Sequence, residues 1–313
     1  MPLPDTLRGR LRAPAIAAPM FLTSGPDLVV EVCRSGLLGT FPALNQRTTD
    51  GFSAWLDEIA QRLDEVPGAA PYGVNLIVHR SNPRVQADLE VIVRHRVPLV
   101  ITSLGAISDV VDAVHSYGGL VFHDVVNVRH AQKAAEAGVD GIIAVCAGAG
   151  GHAGTLSPFA LLPEIRSFFS GTLVLSGAIS TGRQIAAARM MGADLAYMGT
   201  RFIATQEAIV PEAYKEMVVG AHAADIMYTP NISGVPASFL RPSLVAAGLD
   251  PDNLPSHSEL DMHNEARAWK TVWSAGQGVG SIDDVPPAAE LCRTLISEYR
   301  SAIDELAEEV ARV

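Results

Sequence analysis

The stretch from Thr172 to Phe202 reads TLVLSGAISTGRQIAAARMMGADLAYMGTRF and contains two short apolar runs separated by one helical pattern. The runs Thr172–Ser176 and Leu195–Met198 have the length of buried strands, and the alanine-rich segment Gly182–Met191 suits a helix that packs on a sheet. A helix between two strands is typical of parallel pairing, because a parallel connection needs a long crossover. This stretch therefore predicts one βα unit and the next strand of a parallel sheet.

The same alternation extends back along the chain to Pro14. Eight apolar runs predict strands at Ala15–Met20, Gly36–Phe41, Tyr72–Leu76, Leu99–Ser103, Leu120–Asp124, Gly141–Cys146, Thr172–Ser176 and Leu195–Met198. Helical patterns lie between them at Asp27–Arg34, Phe52–Leu63, Pro83–Arg94, Ile107–Tyr117, Val128–Ala137, Pro158–Phe169 and Gly182–Met191. Eight units at intervals of roughly 20 to 35 residues, with no GxGxxG after the first strand, favour an α/β fold of the (β/α)8 TIM-barrel class over a doubly wound sheet.

The alternation is lost after Phe202 and resumes only near Pro286. We expect residues 205–270 to form a mostly helical and loop insertion, with the barrel built from 1–204 and 271–313. The insertion either covers the barrel mouth as a substrate lid or serves as a structural appendage, for example in a homodimer. Apolar residues at helical spacing from Leu291 to Val310 predict a C-terminal helix packed on the barrel.

The composition argues against several classes of partner and site. Of the 313 residues, 48% are hydrophobic and 18% charged, which is typical of a compact enzyme and not of a disordered chain. A net charge of −11 disfavours nucleic acid, and no apolar run is long enough to cross a membrane. The 3 cysteines form no CxxC pair, so we expect a cytoplasmic protein. We expect no metal site, since the nearest candidates, His257, Asp261 and His263, lie in a polar loop.

The loop after the sixth predicted strand is the first candidate for chemistry. Residues 148–154 read GAGGHAG and surround a single imidazole, His152, with small residues. Gly148, Gly150 and Gly151 allow positive φ angles and close approach of the backbone to a flat ligand. A solvated histidine in a tight turn is the alternative.

A phosphate site is predicted after strands seven and eight, where TIM barrels usually bind phosphate groups. Gly177 and Gly199 follow these strands and permit close backbone approach, and Thr200 adds a hydroxyl. Each short glycine turn is common by itself, but the two at consecutive strand ends form a more specific pattern.

These residues resemble the nitronate monooxygenase family, also called 2-nitropropane dioxygenases, with its NADH:quinone reductase and enoyl-ACP reductase II relatives. The matching segments are APMFLTSGPDLV, YGVNL, GAGGHAG, LVLSGAISTGRQIAAARMMGADLAYMGTRF and WSAGQG, in the order of the family. The resemblance implies an FMN-containing TIM barrel with His152 as the catalytic base. It also implies that the flavin is bound by Pro19, Met20, Asn75, His123, Gly150, Gly151, Ser176, Gly177, Ala178, Gly199, Thr200 and Gln277.

One position departs from some of these relatives, which have a lysine directly after the histidine of the fifth strand. This chain has His123-Asp124 there. A cation near the flavin would stabilise the anionic reduced ring, and an aspartate could not. Either His123 supplies that charge or the reduced ring is less stabilised, unless Asp124 points away and orients a neighbour.

Three hypotheses for function remain open at this point. The first is FMN-dependent oxidation of alkyl nitronates by O2 to a carbonyl compound and nitrite, in which a neutral imidazole removes the α-proton of a nitroalkane. The second is NAD(P)H-dependent reduction of quinones or enoyl thioesters at the same flavin. The third is a non-enzymatic flavin-binding protein, against which the placement of His152 argues.

Overall fold

The computed structural model describes residues 3–103, 105, 107–254 and 272–312, and its centre is a closed parallel barrel of eight strands. The barrel strands are β1 Ala15–Ala17, β2 Leu38–Pro42, β3 Gly73–Ile77, β4 Leu99–Ser103, β5 Leu120–Val125, β6 Gly141–Val145, β8 Thr172–Ser176 and β9 Leu195–Met198. β9 closes the ring by pairing with β1, with Tyr197 opposite Ile16. The predicted (β/α)8 TIM barrel is confirmed.

Helices follow the strands, as the helical patterns predict. They are α1 Pro26–Arg34, α2 Thr49–Asp64, α3 Val85–Arg94, α4 Ser108–His115, α5 Val128–Glu136, α6 Pro158–Arg166, α7 Gly182–Met190 and the short α8 Thr200–Ile203. Hydrogen bonds from backbone N–H groups to a capping side chain define where several of these helices begin. For example, Thr181 and Gln184 form a capping box at α7, which satisfies backbone N–H groups that the helix itself leaves unpaired.

The core has two layers because successive strand residues point to opposite faces. Leu99 and Ile101 of β4 pack inside the barrel with Phe122 and Val174 from neighbouring strands. Val100, which lies between them in sequence, packs outward against the helices. All five side chains are buried, so the barrel interior is a packed core and its functional surface lies at the mouth.

Several predicted strand boundaries differ from the structure by one residue, and two differ by more. β1 ends at Ala17 and not at Met20, and Pro19 beyond it has no N–H with which to continue the ladder. β2 begins at Leu38 because Gly36 forms a turn with φ of +91°.

The segment after β9 contains more sheet than we predicted. It comprises α9 Glu212–Val219, β10 Ile226–Thr229, β11 Ala237–Leu240 and α10 Arg241–Ala246. β10 and β11 pair antiparallel, and β11 also pairs with the two-residue strand β7 Gly151–His152. The expectation of a mostly helical and loop insertion therefore missed a three-stranded sheet, whose third strand comes from a distant loop. The part of the insertion after residue 254 lies outside the described residues.

The C-terminal helix α11, Ala288–Ala311, follows Pro286 and Pro287 as predicted and packs on α7. Glu298 of α11 accepts a hydrogen bond of 2.6 Å from the backbone N–H of Gly182 at the start of α7. Within the described residues, no helix is both long enough and apolar enough to cross a membrane.

Candidate active site

A cavity of about 2160 Å³ lies at the carboxyl ends of the barrel strands. Nearly all of the predicted site residues line it: Pro19, Met20, Asn75, His123, Gly150, Gly151, His152, Ser176, Gly177, Ala178, Gly199 and Thr200. Gln277 does not line it. The Gln277 side chain is exposed, and its backbone N–H donates to Gly148 O at 2.8 Å. The contact with the flavin ring that we expected from Gln277 therefore has no support from the lining of this cavity.

His152 belongs to a short strand and not to a solvated turn. It lies opposite Ala237 of β11 and is half-buried. The backbone N–H of the preceding Gly151 donates to Ser274 Oγ at 2.8 Å, and Ser274 Oγ donates to Ser238 O at 2.5 Å. This arrangement fixes the backbone that carries the imidazole, so the solvated-loop interpretation of His152 is wrong.

The two glycine-rich segments of the site pack directly against each other. Gly276 N donates to Thr200 Oγ1 at 2.8 Å. A Cβ added to Gly150 would lie 2.8 Å from Gly276 N, and one added to Gly276 would lie 2.6 Å from Gly148 O. Only glycine allows backbones to approach this closely. The glycines therefore join the loops after β6 and β9 to the turn that begins at Ala275.

The loop after β8 has an unusual backbone at the predicted phosphate site. Gly177 has φ of +143° and Ala178 has φ of +53°. A left-handed conformation is costly for a non-glycine residue and often marks a functional site. Across the same wall, a Cβ added to Gly199 would have Met20 Sδ as its nearest neighbour, at 3.6 Å. A small side chain at this position would therefore make ordinary contacts, and Gly199 itself lines the cavity.

A chain of hydrogen bonds connects three neighbouring strands in the cavity wall. Asn75 Nδ2 donates to Ser103 Oγ at 2.8 Å and to Ile101 O at 3.2 Å. Ser103 Oγ donates in turn to Asp124 Oδ2 at 2.6 Å. Both amide hydrogens of Asn75 are thus directed into the wall, which leaves its carbonyl oxygen as the group that a ligand could contact. Ser103 was not among the predicted site residues, since a serine at a strand end carries no distinctive signal.

Burial shifts the pKa values of both His123 and Asp124 on β5. Burial lowers the pKa of His123 to about 4, as does the proximity of His130, whereas the bond to Thr102 opposes the shift. His123 is therefore neutral near pH 7, which favours the alternative in which the reduced ring is less stabilised. Burial raises the pKa of Asp124 to about 6, against the opposing effects of Ser103 and His152. Asp124 lines the cavity, so it does not point away from it.

The segment after β9 contributes aromatic side chains that the sequence analysis did not assign to the site. Tyr214 and Trp273 stack with ring centroids 4.9 Å apart and an interplanar angle of 9°. Tyr228 of β10 lines the cavity too, and its hydroxyl donates to Ala153 O at 2.8 Å, next to His152. These rings form an apolar wall on one side of the mouth.

Two other groups are excluded from the chemistry on physical grounds. Burial raises the pKa of Cys146 to about 12, so this cysteine is a neutral thiol and not a nucleophile. Among the described residues, no group of three or more His, Cys, Asp or Glu side chains could hold a metal ion. The candidates His257, Asp261 and His263 lie outside the described part of the chain.

Comparison with known proteins places this architecture in a family. The chain is 30% identical to the putative monooxygenase Rv1533 of Mycobacterium tuberculosis over 248 residues, or 73% of this chain and 66% of that protein. It is 28% identical to the (3aS,4S,5R,7aS)-5-hydroxy-7a-methyl-1-oxo-octahydro-1H-indene-4-carboxyl-CoA dehydrogenase of Rhodococcus jostii over 232 residues, or 74% and 64%. The alignments thus span slightly less than two thirds of these relatives.

A solved structure agrees over almost the whole chain. The nitroalkane oxidase of Streptomyces ansochromogenes superposes with a TM-score of 0.82 and 25% identity, and the alignment covers 96% of this chain and all of that one. The family model for nitronate monooxygenase matches residues 81–298, which include the His152 loop and both phosphate-site loops. The barrel, the mouth and these matches together show that the chain belongs to the nitronate monooxygenase family.

Proposed function

We propose that this protein oxidises alkyl nitronates, and the nitroalkanes that yield them, with FMN as cofactor and O2 as oxidant, to a carbonyl compound and nitrite. The observation that carries the proposal is the position of His152, which is held on β7 at the edge of the cavity that Gly177 and Gly199 also line. The glycine-lined wall suits a flavin, and the base at the same barrel mouth suits a carbon acid bound beside that flavin.

The described residues fit FMN. The close backbone contacts at Gly150 and Gly276 hold the loops of this wall together, and small residues, namely Gly177, Ala178 and Gly199, line the cavity beside them. In this proposal the phosphate and ribityl chain of FMN would be held by Gly150, Gly151, Ser176, Gly177, Ala178, Gly199 and Thr200. Pro19, Met20 and Asn75 would hold its ring, the last through its carbonyl oxygen. When bound, FMN supplies the redox chemistry by accepting electrons from the substrate and passing them to oxygen.

The protein's own residues handle the proton and exclude water. His152 Nε2 or Nδ1 takes the α-proton of a nitroalkane, and the resulting imidazolium lies near Asp124, whose charge interacts with His152. The Tyr214 and Trp273 rings cover the apolar side of the mouth and keep water from the reacting carbon. His123, being neutral, serves as a hydrogen-bonding wall residue.

The segment 205–270 acts as the substrate lid in this proposal. Ala237 and Ser238 of β11 pair with the strand that carries His152, and Tyr228 reaches the same loop. A change in this segment would therefore alter both the wall of the cavity and the position of the base. We propose small-molecule substrates together with O2 as the partners of this site.

The test is the visible spectrum of the purified protein, followed by anaerobic mixing with a nitronate. We expect a yellow protein whose flavin absorbance is bleached by the nitronate and restored by air. A protein that does not take up FMN, or a bound flavin that the nitronate leaves oxidised, would contradict the proposal.

A second candidate is NAD(P)H-dependent reduction of quinones or enoyl thioesters at the same flavin. The dehydrogenase relative from Rhodococcus jostii has a CoA thioester in its name, which favours a thioester over a quinone. Anaerobic mixing with NADH instead of the nitronate separates the two candidates. Bleaching by NADH alone would establish the reductase.

A further inference from the structure

A small concavity lies away from the barrel mouth, between the segment before β1 and helix α11. Its volume of about 430 Å³ falls within the roughly 300–1,000 Å³ typical of small-molecule sites. The described residues that line it are Arg12, Arg293, Ile296, Ser297, Arg300, Ser301 and Asp304. Arg12 lies at the amino end of β1, whereas the cavity that contains His152 lies at the carboxyl ends of the strands. The two cavities share no lining residue.

Helix α11 contributes all the lining residues except Arg12, and it does so from one face. Arg293, Ser297, Arg300 and Asp304 follow the i, i+4, i+7 and i+11 spacing that places side chains on one side of a helix. Ile296 lines the same concavity and is buried. The two guanidinium groups of α11 therefore reach one space, above an apolar side chain.

Arg12 is brought to this concavity by close packing against Gly36. The backbone N–H of Arg12 donates to Gly36 O at 2.8 Å. A Cβ added to Gly36 would lie 2.5 Å from Arg12 Cγ and 2.7 Å from Arg12 Cδ, and Gly36 has φ of +91°. Only glycine leaves room there for the aliphatic part of the arginine. Local packing thus places a third guanidinium group beside the two of α11.

The three arginines are exposed, and none of them has a carboxylate partner among the described residues. Ten other arginines do form ion pairs, namely Arg8, Arg34, Arg62, Arg84, Arg166, Arg183, Arg189, Arg201, Arg241 and Arg312. Asp304 is the only acidic side chain among the described ones in the lining, so three guanidinium groups against one carboxylate leave an excess of two positive charges. In a chain with a net charge of −11, this local excess favours an anionic ligand.

We propose that Arg12, Arg293 and Arg300 bind a phosphate group of a small ligand, at a site separate from the barrel mouth. The inference goes beyond the proposed function and does not depend on it. A carboxylate has two oxygens and matches one planar guanidinium fork. A phosphate group has three terminal oxygens and nearly two negative charges, so it can accept from several guanidinium groups at once. Ser297 and Ser301 add hydroxyl donors.

The phosphate comes from an inorganic diphosphate or from an organic phosphate monoester, which share this chemistry. Pyrophosphate and phenyl phosphate are therefore titrated separately by calorimetry into the unchanged chain and into Arg293→Ala, Arg300→Ala and Arg300→Lys. The matched control is Arg94→Ala, because Arg94 is an exposed arginine on α3 that lines neither cavity. Any binding of a probe at the barrel mouth is common to all these proteins and cancels in the comparison. Far-UV circular dichroism verifies that each variant is folded.

We expect at least one probe to bind the unchanged chain with a Kd below about 1 mM, and the tighter probe identifies the source of the phosphate. Each alanine variant should weaken that affinity about three- to tenfold, and Arg300→Lys should weaken it less, because lysine keeps the charge and loses the fork. Arg94→Ala should leave the affinity unchanged. Binding of neither probe, affinities within about twofold of the unchanged chain in both alanine variants, or an equal loss in Arg94→Ala would overturn the inference.

Sedimentation velocity tests another occupant of suitable charge, the acidic end of α11 from a second copy of the chain. That end carries Asp304, Glu305, Glu308 and Glu309. We expect the unchanged chain and the arginine variants to have the same molecular mass in solution at low ionic strength. An assembly of the unchanged chain that dissociates in Arg293→Ala and Arg300→Ala but persists in Arg94→Ala would assign these arginines to a protein contact and overturn the phosphate site.

Discussion

At the scale of single residues, the site combines a fixed imidazole with a buried carboxyl. His152 is held by strand pairing, and Asp124 by one short hydrogen bond to Ser103. In the sequence, small residues surround His152 and mark it as a site candidate, whereas no comparable pattern surrounds Asp124. Asp124 became interpretable only when its burial and its partners were known.

We predict that His152→Ala keeps bound FMN and loses turnover of neutral nitroalkanes by roughly 10²–10⁴-fold, the usual contribution of a general base. A preformed nitronate has already lost its proton, so its turnover should fall much less. Steady-state assays with both substrates at one pH measure this asymmetry. Equal losses on the two substrates would show that His152 positions the substrate or the flavin.

Asp124 makes the stability of the protein dependent on pH. Its pKa is raised from 3.8 to about 6 by burial, so the folded state favours the protonated carboxyl. The resulting stability is complete below about pH 4 and is lost as pH rises through 6. We predict that Asp124→Asn gains roughly 2 kcal/mol in free energy of unfolding relative to the unchanged chain between pH 4 and pH 7. Urea unfolding curves at both pH values measure it, and a constant difference would show that Asp124 does not titrate in this range.

At the scale of elements, the loops of the mouth support each other through backbone contacts. The predicted strands and helices are nearly all present, because hydrophobic periodicity is a local property of the chain. The three-stranded sheet was not predictable in this way. β7 has only two residues, Gly151 and His152, and its partner Ala237–Leu240 lies more than eighty residues away in sequence. Likewise, the sequence pattern of WSAGQG drew attention to Gln277, whereas the close packing of Gly276 against Gly148 was visible only in the structure.

We predict that Gly276→Ala destabilises the protein by roughly 1–3 kcal/mol, because the new Cβ would lie 2.6 Å from Gly148 O. The matched control is Gly199→Ala, whose Cβ would meet nothing closer than Met20 Sδ at 3.6 Å and whose φ of −99° suits alanine. Chemical unfolding measures both. Equal destabilisation by the two substitutions would contradict the loop contacts described above.

A larger side chain at the same control position tests the phosphate site. We predict that Gly199→Val remains folded but loses affinity for FMN, because the branched side chain extends into the space assigned to the phosphate. Equilibrium dialysis against FMN gives the affinity, with circular dichroism for the fold. Unchanged affinity would place the phosphate elsewhere in the cavity.

At the scale of the whole molecule, the end of the barrel opposite the mouth is held by a buried ionic cluster. Asp194, which precedes β9, is 4% exposed. Its Oδ2 accepts from Arg166 at 2.7 Å and from Leu173 N of β8 at 2.8 Å. This cluster joins the last two strands of the ring near the point of closure. Stability and chemistry thus reside at opposite ends of the strands, as is usual in this architecture.

We predict that Asp194→Ala lowers the free energy of unfolding by roughly 1–3 kcal/mol, because it leaves the buried backbone N–H of Leu173 without its acceptor and removes the carboxylate that pairs with Arg166. Arg183→Ala, which breaks an ion pair with Glu305 whose side chains are 68% and 59% exposed, should cost less than about 1 kcal/mol. Denaturant unfolding of both variants gives the comparison. A similar cost for the two would mean that the cluster does not hold the barrel closed.

The pairing of β7 with β11 has a consequence for how this protein can change. The proposed base is carried by a strand whose hydrogen-bonding neighbours lie outside the barrel ring. Substitutions in residues 226–240 can therefore shift the reacting geometry without altering any barrel strand. Substitutions there can change substrate preference while the barrel keeps its stability. Selection for new substrates and selection for a stable fold therefore act on separate parts of one chain.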